Sequence, residues 1–159
     1  MKQLFCAALL LAAATPFAFA KIGETEAQIS ARYGKSIGDI PTEAFGPVRG
    51  YMMPGFLVGV KLVDGLSVME MISKNDQSEM SGLEIEKFLK SHGAEGPWNA
   101  EKWDRPGWKR WRTADEALVA VYDAKRHFLY INSRKFYEDQ DRKLEKEERE
   151  KPASSDKPL

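Results

Sequence analysis

Cysteine is nearly absent from this 159-residue chain, and the single one, Cys6, lies close to the N-terminus. Beyond it there is no side chain to form a disulfide, supply a thiolate nucleophile or bind a metal as a thiolate. Histidine is almost as scarce: His92 and His127 are the only two, with no HxxxH or HxH spacing. A catalytic zinc site commonly needs three protein ligands. No catalytic residue, metal site or cofactor is therefore assigned. An excess of one charge is also missing, since 24 Lys and Arg balance 24 Asp and Glu. That balance gives no bulk attraction to nucleic acid, and no nucleic-acid partner is expected.

Long apolar runs are missing too, with one exception at the start. Lys2 forms a short positive region, Leu4 to Ala14 an apolar stretch of eleven residues, and Ala18-Phe19-Ala20 a small-x-small cleavage pattern. This order reads as a cleavable signal peptide over residues 1–20, with Lys21 as the mature N-terminus. Pro16 interrupts the stretch before the roughly 20 residues that a bilayer span requires. Phe5 before Cys6 argues against lipid attachment. The expected product is exported, periplasmic or extracellular, without a membrane span after cleavage. It loses Cys6 with the leader and carries 23 basic against 24 acidic residues. Its 139 residues fit one domain held by packing alone.

What is present has clear punctuation. Thr25 and Gln28 match a capping box, Ile29 and Tyr33 share a helix face, and Gly34 ends the helix. Tyr51 to Met53, between Gly/Pro pairs, reads as a short edge strand. Phe56, Val58, Val60 and Leu62 alternate, Asp64-Gly65 signals a hairpin, and Leu66 to Ser73 returns as a strand apolar on both faces. Ser81 and Glu84 form a second capping box, with Met80 and Ile85 as its hydrophobic staple. That helix runs over about 82–91, with Leu83, Ile85, Phe88 and Leu89 as its buried stripe and Gly93 as its stop. Residues 94–107 are irregular. Trp108 to Arg112, Ala117 to Tyr122 and Phe128 to Ser133 are then strands joined by polar turns. Short connections force antiparallel pairing. The expected fold is α+β, with two helices on one face of a five- to six-stranded, mainly antiparallel sheet, in a single domain over 21–137. Twelve of the fourteen residues from Glu138 to Lys151 are charged, so 138–159 is expected to be a charged tail, exposed or disordered, with Pro152 to Leu159 disordered. Glu138–Arg142 contacts would support an exposed helix within it. No internal repeat is visible.

The run from Gly23 to Gly34, with its G-x-T-x-x-x-I opening and Tyr-Gly close, resembles the start of small, uncharacterised exported bacterial proteins. The aromatic-Gly hairpin, the S-x-x-E helix, the Trp-rich turn and the last two strands extend this likeness over about residues 22–133. More remotely, the helix-then-sheet plan is similar to small outer-membrane assembly lipoproteins and β-lactamase-inhibitor modules. The chain departs from the former in lacking a usable lipidation cysteine, and from the latter in lacking their disulfides. The resemblance implies a fold and no catalytic residue.

One segment stands out chemically. Trp98, Trp103, Trp108 and Trp111 interleave with Lys102, Arg105, Lys109, Arg110 and Arg112. Indole faces stack on sugars, and guanidinium groups fork onto carboxylates and phosphates. Trp98, Trp103, Arg105, Trp108, Arg110 and Arg112 are thus the partner-binding candidates, for an envelope protein, a glycan or an anionic polymer. Against this, large aromatics also anchor a Gly/Pro-rich connection at a sheet edge, with Arg stems packed over the rings. Trp111, alternating with Arg110 and Arg112, is the expected core member. Glu70 is the one acid in an apolar strand. It either faces solvent or pairs with a cross-strand cation such as Lys61, or it is a buried acid with a raised pKa. Met52, Met53, Met69, Met71 and Met80 offer soft sulfur to cuprous copper, but their positions point to core packing. The expected function is a non-enzymatic envelope or secreted binding module. The alternative is a small hydrolase built on Glu70 or His127.

Overall fold

The computed structural model describes residues 21–93 and 96–150. The expected signal peptide over 1–20, with Cys6, and residues 151–159 lie outside the described residues. Two helices begin at the two capping boxes. α1 (Glu26–Tyr33) has Thr25 accepting from the Gln28 N–H, while the Gln28 side chain accepts from the Thr25 N–H; Ser81 and Glu84 do the same for α2 (Gly82–His92). Each box satisfies amide groups that the first helical turn leaves without partners. The α1 backbone ends at Gly34 with φ of 87°, a conformation open to glycine at little cost.

The strands are β1 (Gly38–Ile40), β2 (Val48–Met53), β3 (Phe56–Val63), β4 (Leu66–Lys74), β5 (Trp98–Glu101), β6 (Trp108–Thr113), β7 (Leu118–Asp123) and β8 (Phe128–Ser133). All eight join one antiparallel sheet in the order β1-β2-β3-β4-β8-β7-β6-β5. Asp64 and Gly65 both have positive φ in the β3–β4 turn, as the hairpin signal requires.

The class is α+β, as expected, but the sheet has eight strands rather than five or six, and there are three helices rather than two. The unforeseen strands, β1 and β5, are the two edges. Each is short and pairs on one side only, so it needs no apolar alternation. The third helix, α3 (Arg134–Glu150), begins before the charged run and passes through the expected boundary at 137. Arg134, not Arg142, takes the Glu138 carboxylate, at 2.7 Å, and Arg142 turns to Asp139.

Strand alternation divides the core into two layers. Val58, Val60, Ile72, Ala120, Tyr122, Leu129 and Ile131 meet Ile29 of α1 and Ile85, Phe88 and Leu89 of α2 on one face. Val48, Met69 and Met71 face the other way, against Phe45, Phe128, Tyr130 and Phe136 of α3. β4 is therefore covered on both sides, as its sequence requires. Leu83, expected in the buried stripe of α2, is 79 % exposed. It lies off the 85–88–89–92 stripe that faces the sheet.

The topology contains a repetition that the sequence hides. α1 followed by the β1–β4 meander, and α2 followed by the β5–β8 meander, follow one plan. The halves join where β4 pairs with β8, Glu70 lying opposite Ile131.

Candidate functional site

The Trp/Arg segment builds the β5–β6 edge, and alternation splits its four indoles between the two sheet faces. Ala100 pairs with Trp111, and Trp111 pairs with Ala120 of the helix-side core. Trp98 and Trp111 thus pack on the helix side. The Trp98 Nε1–H donates to the Leu89 carbonyl at 2.5 Å, on the last turn of α2. The same carbonyl accepts the Gly93 N–H at 3.0 Å. Trp98 is therefore a clamp that closes α2 onto the sheet edge, and it shares no surface with Trp103 or Trp108.

Trp108, Arg110 and Arg112 alternate onto the opposite face. There Glu101 of β5 holds Arg110 at 2.6 Å and Arg112 at 3.1 Å, and Tyr137 of α3 also bonds Arg110. Trp103 and Trp108 meet edge to face at 5.8 Å and 71°. Arg110 lies over the Trp103 ring at 4.8 Å, and Arg105 lies over both rings, at 5.5 and 5.4 Å. Arg105 is exposed and has no carboxylate partner among the described residues. Of the six binding candidates, then, Trp103, Arg105 and Trp108 form one surface with a free cation. Arg110 and Arg112 adjoin it with their charge met by Glu101, and Trp98 lies behind the sheet.

A second assembly lies at the middle of the sheet. Glu70 faces the helix layer, not Lys61. Lys61 pairs with Met69, and its amine reaches the Pro47 carbonyl at 3.3 Å. The Glu70 Oε2 atom accepts the Tyr33 hydroxyl at 2.7 Å and lies 3.0 Å from His92 Nε2. Both the Glu70 and His92 side chains have zero exposure, and Glu70 Oε1 has no hydrogen-bond partner. Burial, and after it the Glu70 charge, pushes the Tyr33 phenol well above its ordinary range. The histidine at Glu70 is thus His92. His127, the other histidine considered for chemistry, is at a turn with φ of 60° and bonded to the Gln77 carbonyl at 2.7 Å.

Sequence reasoning missed this trio because nothing in a linear pattern connects residues 33, 70 and 92. One signal was available. Tyr33 and His92 are each the last helical residue before a terminating glycine, in the two halves of the repeated plan.

No protein-family model matches the chain, and neither a curated protein nor a solved structure matches it. Function therefore has to be argued from side-chain geometry. Two concavities complete that geometry. A cleft of about 400 Å³ lies between α2 and the β5–β6 edge, lined by Ile85, Leu89, Pro97, Trp98 and Trp111 among others. A smaller one, of about 180 Å³, adjoins His92 and is lined also by Lys21, Thr113 and Asp115. Neither holds two carboxylates at glycosidase spacing. Among the described residues no three His, Cys, Asp or Glu side chains gather as a metal-binding set.

Proposed function

We propose that this chain is a non-enzymatic binding module, exported from the cell, that seats an acidic glycan on the Trp103–Arg105–Trp108 surface. The observation that carries this reading is the exposed Arg105 guanidinium, held over two indole rings at 5.5 and 5.4 Å with no carboxylate to neutralise it. Stacking fixes the cation before any ligand arrives, so less side-chain entropy remains to be lost on binding. A sugar carboxylate would take the guanidinium N–H groups in a forked pair, and the indoles present apolar area to the C–H face of the ring. The export signal and the likeness to small exported bacterial proteins support the location. The likeness to inhibitor and assembly modules supports binding rather than turnover.

The test is a titration with a soluble polyuronate, using a neutral polysaccharide as control. Wild-type protein is expected to bind the polyuronate and to lose affinity as salt rises. Arg105→Ala is expected to bind at least tenfold more weakly, because a desolvated charged hydrogen bond is worth about 1.5–3 kcal/mol. Its melting temperature should stay within a degree or two, since Arg105 has no ion pair to lose. Equal binding by the variant rules out this surface. Equal binding of the neutral polymer rules out the acidic ligand, and a collapse in melting temperature makes Arg105 structural. Capture of an envelope protein instead, with loss on Arg105→Ala, keeps the surface and overturns the glycan.

A hydrolase is the second reading, favoured by the 3.0 Å approach of a histidine to Glu70. The zero exposure of both side chains opposes it, because a substrate has no route to either atom.

A further inference from the structure

The Glu70–His92–Tyr33 trio has no part in the glycan reading, and its hydrogen bonds fix how many protons it holds. The Ser91 hydroxyl has one hydrogen, which it donates to the Phe88 carbonyl at 2.7 Å. His92 Nδ1 lies 2.8 Å from that same carbonyl and 3.0 Å from Ser91 Oγ. A carbonyl only accepts, so Nδ1 must carry a hydrogen. On the other side of the ring, Nε2 faces Glu70 Oε2 at 3.0 Å, and the Tyr33 hydroxyl already donates to that oxygen. One proton between Nε2 and the carboxyl satisfies this contact, whichever of the two atoms holds it. With none, a carboxylate would face an imidazole lone pair inside the protein. With two, an imidazolium would face an uncharged acid. Both arrangements bury a net charge with no counterion, which is costly.

The surroundings offer little else to absorb such a charge. Across the sheet Glu70 has Val60 of β3 and Ile131 of β8 as neighbours, both buried. From α1 the facing groups are Tyr33 and Arg32, whose charge acts on Glu70 but which is itself paired with Glu24. From α2 they are His92 and Ser91, and across the small cavity Lys21 and Asp115. Each helix contributes its last residue to one carboxylate on the central strand, so this carboxylate ties α1 and α2 to the sheet and to each other.

We propose that Glu70, His92 and Tyr33 form a one-proton latch, which holds the helix layer on the sheet only while the Glu70–His92 pair carries a single proton. The direction of its pH response follows from counting. In the unfolded chain a glutamate titrates near about 4.3 and a histidine near about 6.5. Between those values both states hold one proton, and the latch leaves stability flat. Above about 6.5 the unfolded pair holds none and the folded pair one, so stability falls as pH rises. The unfolding constant then grows roughly tenfold per pH unit. Below about 4.3 the unfolded pair holds two, so stability falls as pH falls.

The decisive experiment compares unfolding by urea at pH 5.5 to 8.5 for the wild type and Glu70→Gln. In the variant the amide of the new side chain donates to Nε2 and His92 is buried neutral. Below about 6.5 the variant's folded state then holds fewer protons than the unfolded state, so stability rises with pH where the wild type is flat; above about 6.5 it is flat where the wild type falls. Slopes that differ by about one proton throughout this range support the latch; parallel slopes, or a wild-type curve independent of pH from 6.5 to 8.5, overturn it. Should the variant fail to fold, the ring nitrogen resonances of wild-type His92 decide. They are expected to show no protonation step between pH 5 and 7.5. A step near about 6.5, as in an unfolded chain, overturns the proposal. Loss of ring order alone would accompany a purely structural role, but would not change the pH slope by about one proton.

Discussion

Gly59 shows how a missing side chain shapes this core. It lies on β3 opposite Met71 of β4 and Gly50 of β2. A Cβ placed there would stand 2.8 Å from Val48 Cγ2 and 3.2 Å from Met71 Cε, both in the layer beneath α3. Val48 is buried and branched, so it has no free rotamer to yield. Gly59→Ala is expected to destabilise the domain by about 1–3 kcal/mol, the usual cost of overpacking a filled interior. A urea melt measures it, and Gly55→Ala, with open space around the position but positive φ, separates crowding from backbone strain. The same alternation of side chains explains the Trp segment. Four tryptophans adjacent in sequence looked like one cluster, yet a period of two sent Trp98 and Trp111 to one face while Trp108 went to the other with Trp103. Placing Trp111 in the core from its alternation with Arg110 and Arg112 used that rule. Extending it to Trp98 required knowing that β5 is a strand.

At the level of elements, the strongest signals were those in which local chemistry and burial agree. The Ser81–Glu84 box, the Met80 and Ile85 staple and the β3–β4 hairpin all carry such double support. The Glu84 carboxyl is held below its ordinary range by the Ser81 N–H and then by the Ser81 hydroxyl. A lowered carboxyl favours folding above its unfolded value, and that contribution is lost as pH falls through the folded value. Acidification should therefore fray the first turn of α2 before the sheet opens. Amide exchange at Ser81 and Glu84 should quicken below about pH 4, and Glu84→Gln, which keeps a capping acceptor, should remove the acid dependence. Elements with only one source of support were harder to read. β1 and β5 are held by a single neighbouring strand, and β5 follows Gly96-Pro97, so breaker residues masked it. α3 was legible as an exposed helix from its charge pattern. Its start was not, because the charged run begins at Glu138, after Phe136, which packs on the sheet, and Tyr137, which bonds Arg110.

For the whole molecule, the duplicated plan matters most. Each half contributes one helix and four strands, and the β4–β8 seam brings together residues about 60 positions apart, such as Glu70 and Ile131. No sequence repeat betrays it, because the halves share only a capping box and a terminal glycine on each helix. The chain's entry into this architecture bears on the export reading. Ser67 of β4 is buried; its hydroxyl accepts the Gly23 and Glu24 N–H groups at 3.1 Å each, and its carbonyl accepts the Gly23 N–H at 2.8 Å. The first tight anchor is thus two residues beyond Lys21, where the Ala18-Phe19-Ala20 pattern places cleavage. A cut there leaves every one of those bonds in place, and a cut three residues later severs the chain at the anchor itself. The proposed export is tested by N-terminal sequencing of the protein from its native host, with Lys21-Ile22-Gly23 as the expected start. A chain starting at Lys21 should melt with the full precursor's midpoint, whereas one starting at Thr25 should lose about 1–3 kcal/mol, because Ser67 is then buried without its partners. A product that keeps the leader, or a Thr25 start as stable as the Lys21 start, would detach the cleavage pattern from the fold it precedes.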